Sequence, residues 1–79
     1  MGKAHNFLKF EKDADEPYES VYNVLNKQGD ELGKIIFYPK WKTHIFEPYS
    51  DTYFDWRCNQ QLSEFQKELD KKYPDGMIN

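Results

Sequence analysis

With 79 residues the chain has room for one domain and a modest core, so each large apolar side chain weighs on stability. Aromatic residues are 18% of the chain and all hydrophobic residues only 38%, so the interior must be built from a few large rings. A net charge of −3, from 14 acids and 11 bases, speaks against a dedicated nucleic-acid binder and is too small for a DNA mimic. No apolar run approaches the ~20 residues of a membrane span. The single Cys58 excludes an internal disulfide and fits a reducing compartment, and MGKAHNFLKFEK has no apolar secretory stretch, so a cytoplasmic location is expected. Asn6 stands where a myristoylation motif places Ser or Thr.

In chain order, residues 6–12 alternate Leu8 and Phe10 around Lys9 and are expected to form a first strand. The acidic, proline-ended DADEP at 13–17 reads as a solvated turn. Residues 18–25 form a second strand, with Val21, Asn23 and Leu25 on one face and Ser20, Tyr22 and Val24 on the other. NKQGDE at 26–31 places Gly29 where a hairpin loop needs positive φ. Residues 32–38 and 41–46 concentrate β-branched and aromatic side chains about a proline-marked turn, a hairpin. A two-residue loop would set Tyr38 opposite Trp41; a four-residue loop keeps the same facing parity, and an odd loop would reverse it. The connector YSDTYFDW is apolar for a loop and is expected to pack against the sheet edge.

A helix over 55–72 follows, with Asp55 as N-cap, or Asp51 or Thr52 if its first turn starts earlier, and Cys58, Leu62, Phe65 and Leu69 as its apolar stripe. Pro74 and Asp75-Gly76 end it, and residues 1–4 and 74–79 are expected to be flexible tails. The fold class expected is α+β: a four-stranded antiparallel meander with one C-terminal helix on one face. One helix covers one side of a sheet. At least one of Ile36, Tyr38, Trp41 and Ile45 must then lie on the uncovered side, and an uncovered apolar patch on a small domain is a mark of a partner.

The run LGKIIFYPKWKTHIFEP, then T-x-F-D at 52–55 and C-x-x-x-L-x-x-F-x-x-x-L from Cys58, resembles a group of small uncharacterised phage and prophage proteins. The shared marks are Tyr38-Pro39, Trp41-Lys42, Phe46, Pro48, Cys58, Leu62 and Phe65. The resemblance implies an origin and a domain shape; the group has no assigned activity. Asn59 and Gln66 stand where such proteins carry further apolar helix residues.

Catalytic and metal readings are thin. Cys58 with His44 is the one nucleophile-and-base pair of the cysteine type, and a lone cysteine on an apolar helix stripe is ordinarily a packing residue. His5 and His44 lack metal-ligand spacing, Asp51 with Asp55 reads as capping, and the glycines at 2, 29, 33 and 76 form no phosphate loop, so no cofactor is expected. The interleaved Lys34, Tyr38, Lys40, Trp41, Lys42 and His44 have the composition for stacking bases and contacting phosphate, but three lysines on an acidic chain are sparse. A protein interface explains more: Tyr38, Lys40, Trp41 and Lys42 on the hairpin, with Tyr49, Tyr53 and Trp56, are the expected partner-binding residues. The expectation is a non-enzymatic phage or prophage module that binds a host or phage protein, such as an anti-CRISPR-type inhibitor of a defence component. The alternatives are single-strand nucleic-acid binding and a homo-oligomer made by pairing exposed faces or edges.

Overall fold

A computed structural model of the chain describes residues 7–77. Strands β1 (Lys9–Lys12), β2 (Tyr22–Leu25), β3 (Glu31–Tyr38) and β4 (Thr43–Pro48) form an antiparallel meander in sequence order, and helix α1 (Trp56–Lys72) closes the chain, an α+β fold. The expected second strand is shorter than its alternation indicated. Residues 18–20 make a turn, and β2 keeps only four residues, with a register shift between Val24 and Leu25 where it pairs with β3. Asn6 lies outside the described residues, and Phe7 and Leu8 precede β1, held by the side chain of Gln61.

Cross-strand pairing fixes the faces. Tyr22 lies opposite Ile35, Val24 opposite Gly33, Ile35 opposite Phe46 and Phe37 opposite His44, and this is the helix side. Leu8, Val24, Ile35, Leu62 and Leu69 are its buried centre, with Phe10, Tyr22, Phe46, Phe54, Cys58 and Phe65 packed around them. Rings carry the interior, as the composition requires: Phe10 stacks on Phe65 at 4.1 Å between centroids, and Tyr22 meets Phe65 edge-on at 5.0 Å. Gly33 faces the same side because any Cβ there would sit 2.5 Å from the Glu47 carbonyl and 2.7 Å from the Phe46 ring.

The helix begins as its sequence directs. Asp55 accepts hydrogen bonds from the Arg57 and Cys58 backbone N–H groups, and its other oxygen accepts from the Arg57 guanidinium. From there α1 crosses the sheet diagonally. Gln61 brackets Leu8 ahead of β1, accepting from its N–H and donating to its carbonyl, while Gln66 and Asp70 reach β4 at His44. Gln66, out of place on an apolar stripe, thus donates to the His44 carbonyl at 2.9 Å.

The tail departs from expectation. Residues 74–77 are docked: the Met77 carbonyl accepts from Glu19 N–H at 2.6 Å, and Gly76 lies against the Phe37 and Tyr18 rings. The reason is glycine itself, since φ of +78° turns the chain back and a Cβ would meet Phe37 at 2.7 Å. Residues 1–4, also expected to be a tail, lie outside the described residues, as do 78 and 79.

Candidate functional site

The hairpin turn is a four-residue loop, Pro39 to Lys42, so Tyr38 opposes Thr43 and β4 runs 43–48 rather than 41–46. Pro39 presets the first bend, and the Tyr38 carbonyl accepts from the N–H groups of both Trp41 (3.1 Å) and Lys42 (2.9 Å). Trp41 therefore leaves the strand and stands on the turn, 68% exposed, with its ring edge-on to Tyr38 at 4.9 Å. Lys40 and Lys42 flank it, both exposed and neither engaged in an ion pair among the described residues. Lys42 holds φ at +54°, a conformation that a β-carbon disfavours by roughly 1–2 kcal/mol and glycine accepts freely.

Behind the turn, the side of the sheet away from α1 carries Lys34, Ile36 and Tyr38 from β3 and Ile45 from β4, with Ile36 directly opposite Ile45. Ile36, Tyr38 and Ile45 are half-buried, and Asp13 and Glu16 of the 13–17 turn reach the same face at Lys34. The apolar strip expected on the side away from the helix is made of these three half-buried residues, and the Trp41 ring adjoins it at Tyr38.

The seven residues expected to bind a partner do not form one surface. Tyr38, Lys40, Trp41 and Lys42 cluster at the turn, whereas Tyr49, Tyr53 and Trp56 follow the far end of β4, roughly 20 Å away by the rise of six strand residues. Tyr53 is 90% exposed and Trp56 71%. Within the connector it is Phe54 that packs inward, edge-on to Phe46 at 5.2 Å.

The basic-aromatic cluster is also thinned. Lys34 is paired with Asp13 at 3.2 Å and Glu16 at 3.4 Å, and these carboxylates, Asp13 foremost, hold its ammonium above the usual lysine range. His44 points to the opposite side of the sheet and is 2% exposed. Of six residues considered for base stacking and phosphate contact, four remain together on the turn.

His44 is the centre of an arrangement that sequence reading missed. Its Nδ1 meets Asp70 Oδ1 and its Nε2 meets Ser20 Oγ, each at 2.5 Å, and Thr43 Oγ1 donates to Asp70 Oδ2. Burial alone would raise the Asp70 carboxyl, but the Thr43 hydroxyl and the His44 ring and backbone N–H outweigh it and hold the group below its ordinary value. The order Ser–His–Asp is that of a hydrolase triad. Ser20 is fully buried, however, with its hydroxyl 3.4 Å from the Gly76 carbonyl, so no substrate carbonyl reaches Oγ in this structure. What the arrangement does is fasten the turn end: β4 to α1 through Asp70, and β4 to the 18–20 turn and tail through Ser20. The three residues are 24 and 26 positions from one another through His44 and share no motif, so only the fold reveals them.

Cys58 and His44 are not partners. Cys58 lies on the first turns of α1 beside Asp55, more than two helical turns before Asp70, and burial raises its thiol above the usual range. Among the described residues no three His, Cys, Asp or Glu side chains converge on a point where a metal ion could be held. No helix there is long and apolar enough to cross a membrane. Compared with known proteins, the chain matches no protein family, no curated protein and no solved structure.

Proposed function

We propose that the protein is a non-enzymatic binding module whose hairpin turn engages a partner protein presenting an apolar patch ringed by carboxylates. The observation that carries this reading is Trp41: a large exposed ring, braced by Tyr38 and flanked by two lysines in no ion pair among the described residues, on a turn that holds lysine where glycine would be less strained. A ring held on a short proline turn loses little freedom on binding, and the lysines choose an acidic rim. The resemblance to phage and prophage proteins supplies the setting, a host or phage protein as partner, with a host-defence component the specific case to test first.

A second reading rests on the same four residues. Trp41 and Tyr38 offer faces for bases, and Lys40 and Lys42 offer charges for phosphate, as in sequence-tolerant single-strand binding. The loss of Lys34 to its carboxylates leaves that reading two cations, few for a phosphate backbone.

Affinity capture from a bacterial host lysate, with and without nuclease, separates the two. Wild type is compared with Trp41→Ala and with Lys40→Glu/Lys42→Glu. A nuclease-resistant partner lost with both variants supports the protein-binding reading. Recovery that nuclease abolishes, with binding that weakens steeply with salt, supports the nucleic-acid reading instead. A partner retained equally by all three proteins overturns both. Sedimentation of the purified protein tests the homo-oligomer: a Trp41-dependent dimer would make a second copy the partner.

A further inference from the structure

The two edges of the sheet are finished differently. On β4, the outward N–H and C=O of His44 are taken by Asp70 and Gln66 and Pro48 has no N–H to offer, so among the described residues Phe46 alone keeps both outward groups open there, between two blocked positions. On the β1 side, the outward groups of Leu8 are taken by the carboxamide of Gln61, which both accepts and donates as a neighbouring peptide unit would. Beyond Leu8 that cover stops. The Asp13 N–H bonds the Val21 carbonyl at 2.9 Å and continues the β1–β2 ladder, so Lys9 and Glu11 spend their backbone groups on β2. By alternation Phe10 and Lys12 point their N–H and C=O groups outward, and among the described residues nothing meets them.

The helix leaves this edge open because it runs diagonally, away from β1 and toward β4. A groove of about 540 Å³ lies between them, with Phe10 and Phe65 as its floor, Gln61 at one end and Glu64, Glu68 and Lys71 along the helix wall. A strand added beside β1 would set the side chain opposite Phe10 on the helix side, over that floor. Its two neighbours would fall on the other face, beside Glu11 and Lys9, which are exposed and in no ion pair among the described residues.

We propose that the outer edge of β1 is a strand-addition site for an extended segment of a partner protein carrying a basic, an apolar and an acidic residue in succession. In antiparallel pairing the basic residue lies opposite Glu11, the apolar one opposite Phe10 and the acidic one opposite Lys9. The backbone of the segment exchanges hydrogen bonds with Phe10 and Lys12, and its apolar side chain fills the groove. A second copy does not fit. The two-fold register that pairs Phe10 with Lys12 sets Glu11 against Glu11, and the register centred on Lys12 opposes two lysines. The register centred on Phe10 requires Leu8, whose outward groups Gln61 already holds. This site is separate from the Trp41 turn, so it stands or falls without that reading.

The test is an NMR titration of the whole protein with an acetylated, amidated peptide, Thr-Thr-Lys-Leu-Glu-Thr. The expected result is protection from exchange and large shifts confined to the Phe10 and Lys12 amides and the groove, unchanged by Trp41→Ala. Methylating the leucine nitrogen of the peptide should weaken binding roughly tenfold, since it removes the donor to the Phe10 carbonyl. Exposed charges allow a second variant that leaves the fold intact: Lys9→Glu/Glu11→Lys should exchange the preference, favouring Glu-Leu-Lys over Lys-Leu-Glu by roughly fivefold. No shift at Phe10 and Lys12 up to about 1 mM peptide, shifts mapping to the turn, or an unchanged preference in the swapped variant would each overturn the proposal.

Discussion

Replacing Asp70 by alanine tests whether the buried His44 assembly holds the helix to the sheet. Asp70 accepts three hydrogen bonds: from the His44 backbone N–H at 2.9 Å, from the His44 ring, and from the Thr43 hydroxyl. Removing the carboxylate leaves two donors on a residue that is 2% exposed, and each buried unpaired donor costs about 1–3 kcal/mol. The Asp70 side chain is itself 37% exposed, so water enters part of the vacated space and the low end of that range, about 1–1.5 kcal/mol per donor, applies. The expected loss is then about 2–3 kcal/mol. For a chain of this length the total stability is roughly 4–12 kcal/mol, so such a loss removes a substantial fraction of it. Urea unfolding followed by tryptophan fluorescence should show the midpoint falling at unchanged slope, and the melting temperature should drop by roughly 10–20 °C. Glu68→Ala, two residues earlier on an exposed position, should stay within about 0.5 kcal/mol. A loss below about 1 kcal/mol in Asp70→Ala would refute the reasoning and mean that Leu62 and Leu69 hold the helix unaided.

Three glycines should respond to alanine in a set order. Gly29→Ala, with nothing within 4 Å of the new Cβ, should cost about 1–2 kcal/mol for its positive φ alone, while Gly76→Ala adds the Phe37 collision and Gly33→Ala a collision with the Glu47 carbonyl, so both should lose more in thermal unfolding. Stability should fall on acidification: hydrogen bonds to Cys58 N–H and Arg57 lower Asp55 to about 2, and Asp13 and Asp70 are also lowered. A lowered folded value means stabilisation that is complete above the unfolded carboxylate value near ~3.9 and lost as pH falls through the folded one. An acid titration by circular dichroism should therefore place the main loss below about pH 4, and Asp70→Ala should flatten it. Cys58, whose thiol burial raises, should react with iodoacetamide more slowly at neutral pH than a free cysteine, which timed mass spectrometry would read.

Much of the architecture is legible in the sequence because local chemistry and global fold agree there. Asp55 caps the helix, Leu62 and Leu69 form its buried stripe, Gly29 supplies the positive φ of a loop, and the 34–46 run supplies the central hairpin. The structure departs from the sequence pattern where a side chain or a glycine substitutes for backbone pairing. The alternation over 18–25 continues through Ser20, but Ser20 lies in a turn and is buried against His44 and the Gly76 carbonyl rather than in a strand. Gly76 looks like a chain end in composition, yet it fits because it lacks a side chain where Phe37 passes. The aromatic and basic composition of the turn is legible in the sequence, whereas the exposure of Trp41 comes from the four-residue loop that takes it out of the expected 41–46 strand. That Lys34 is neutralised by residues 18 and 21 positions away, and that His44 faces the helix, follows from register and not from composition.

The ends of the sheet differ in how firmly they are held, and this bears on which aromatic group is the anchor. At the turn end, Thr43 and His44 are tied to Asp70 and Gln66, His44 to Ser20, and the tail to Glu19, so the base of the hairpin is fixed from three directions. At the other end, the connector carrying Tyr49 and Tyr53 is held by one backbone bond to Leu32, a local Thr52 bond and the Phe54 ring, while Tyr53 stands clear of the protein. A partner that closes on Trp41 meets a ring already positioned; one that closes on Tyr53 must first order it, at about 0.5–1.5 kcal/mol per side chain immobilised. Trp41→Ala should therefore weaken a shared partner by about 2 kcal/mol or more, and Tyr53→Ala by under 1 kcal/mol, in calorimetric titration. The reverse ranking would move the interface to the far end of β4 and leave the lysine-flanked turn as solvated surface.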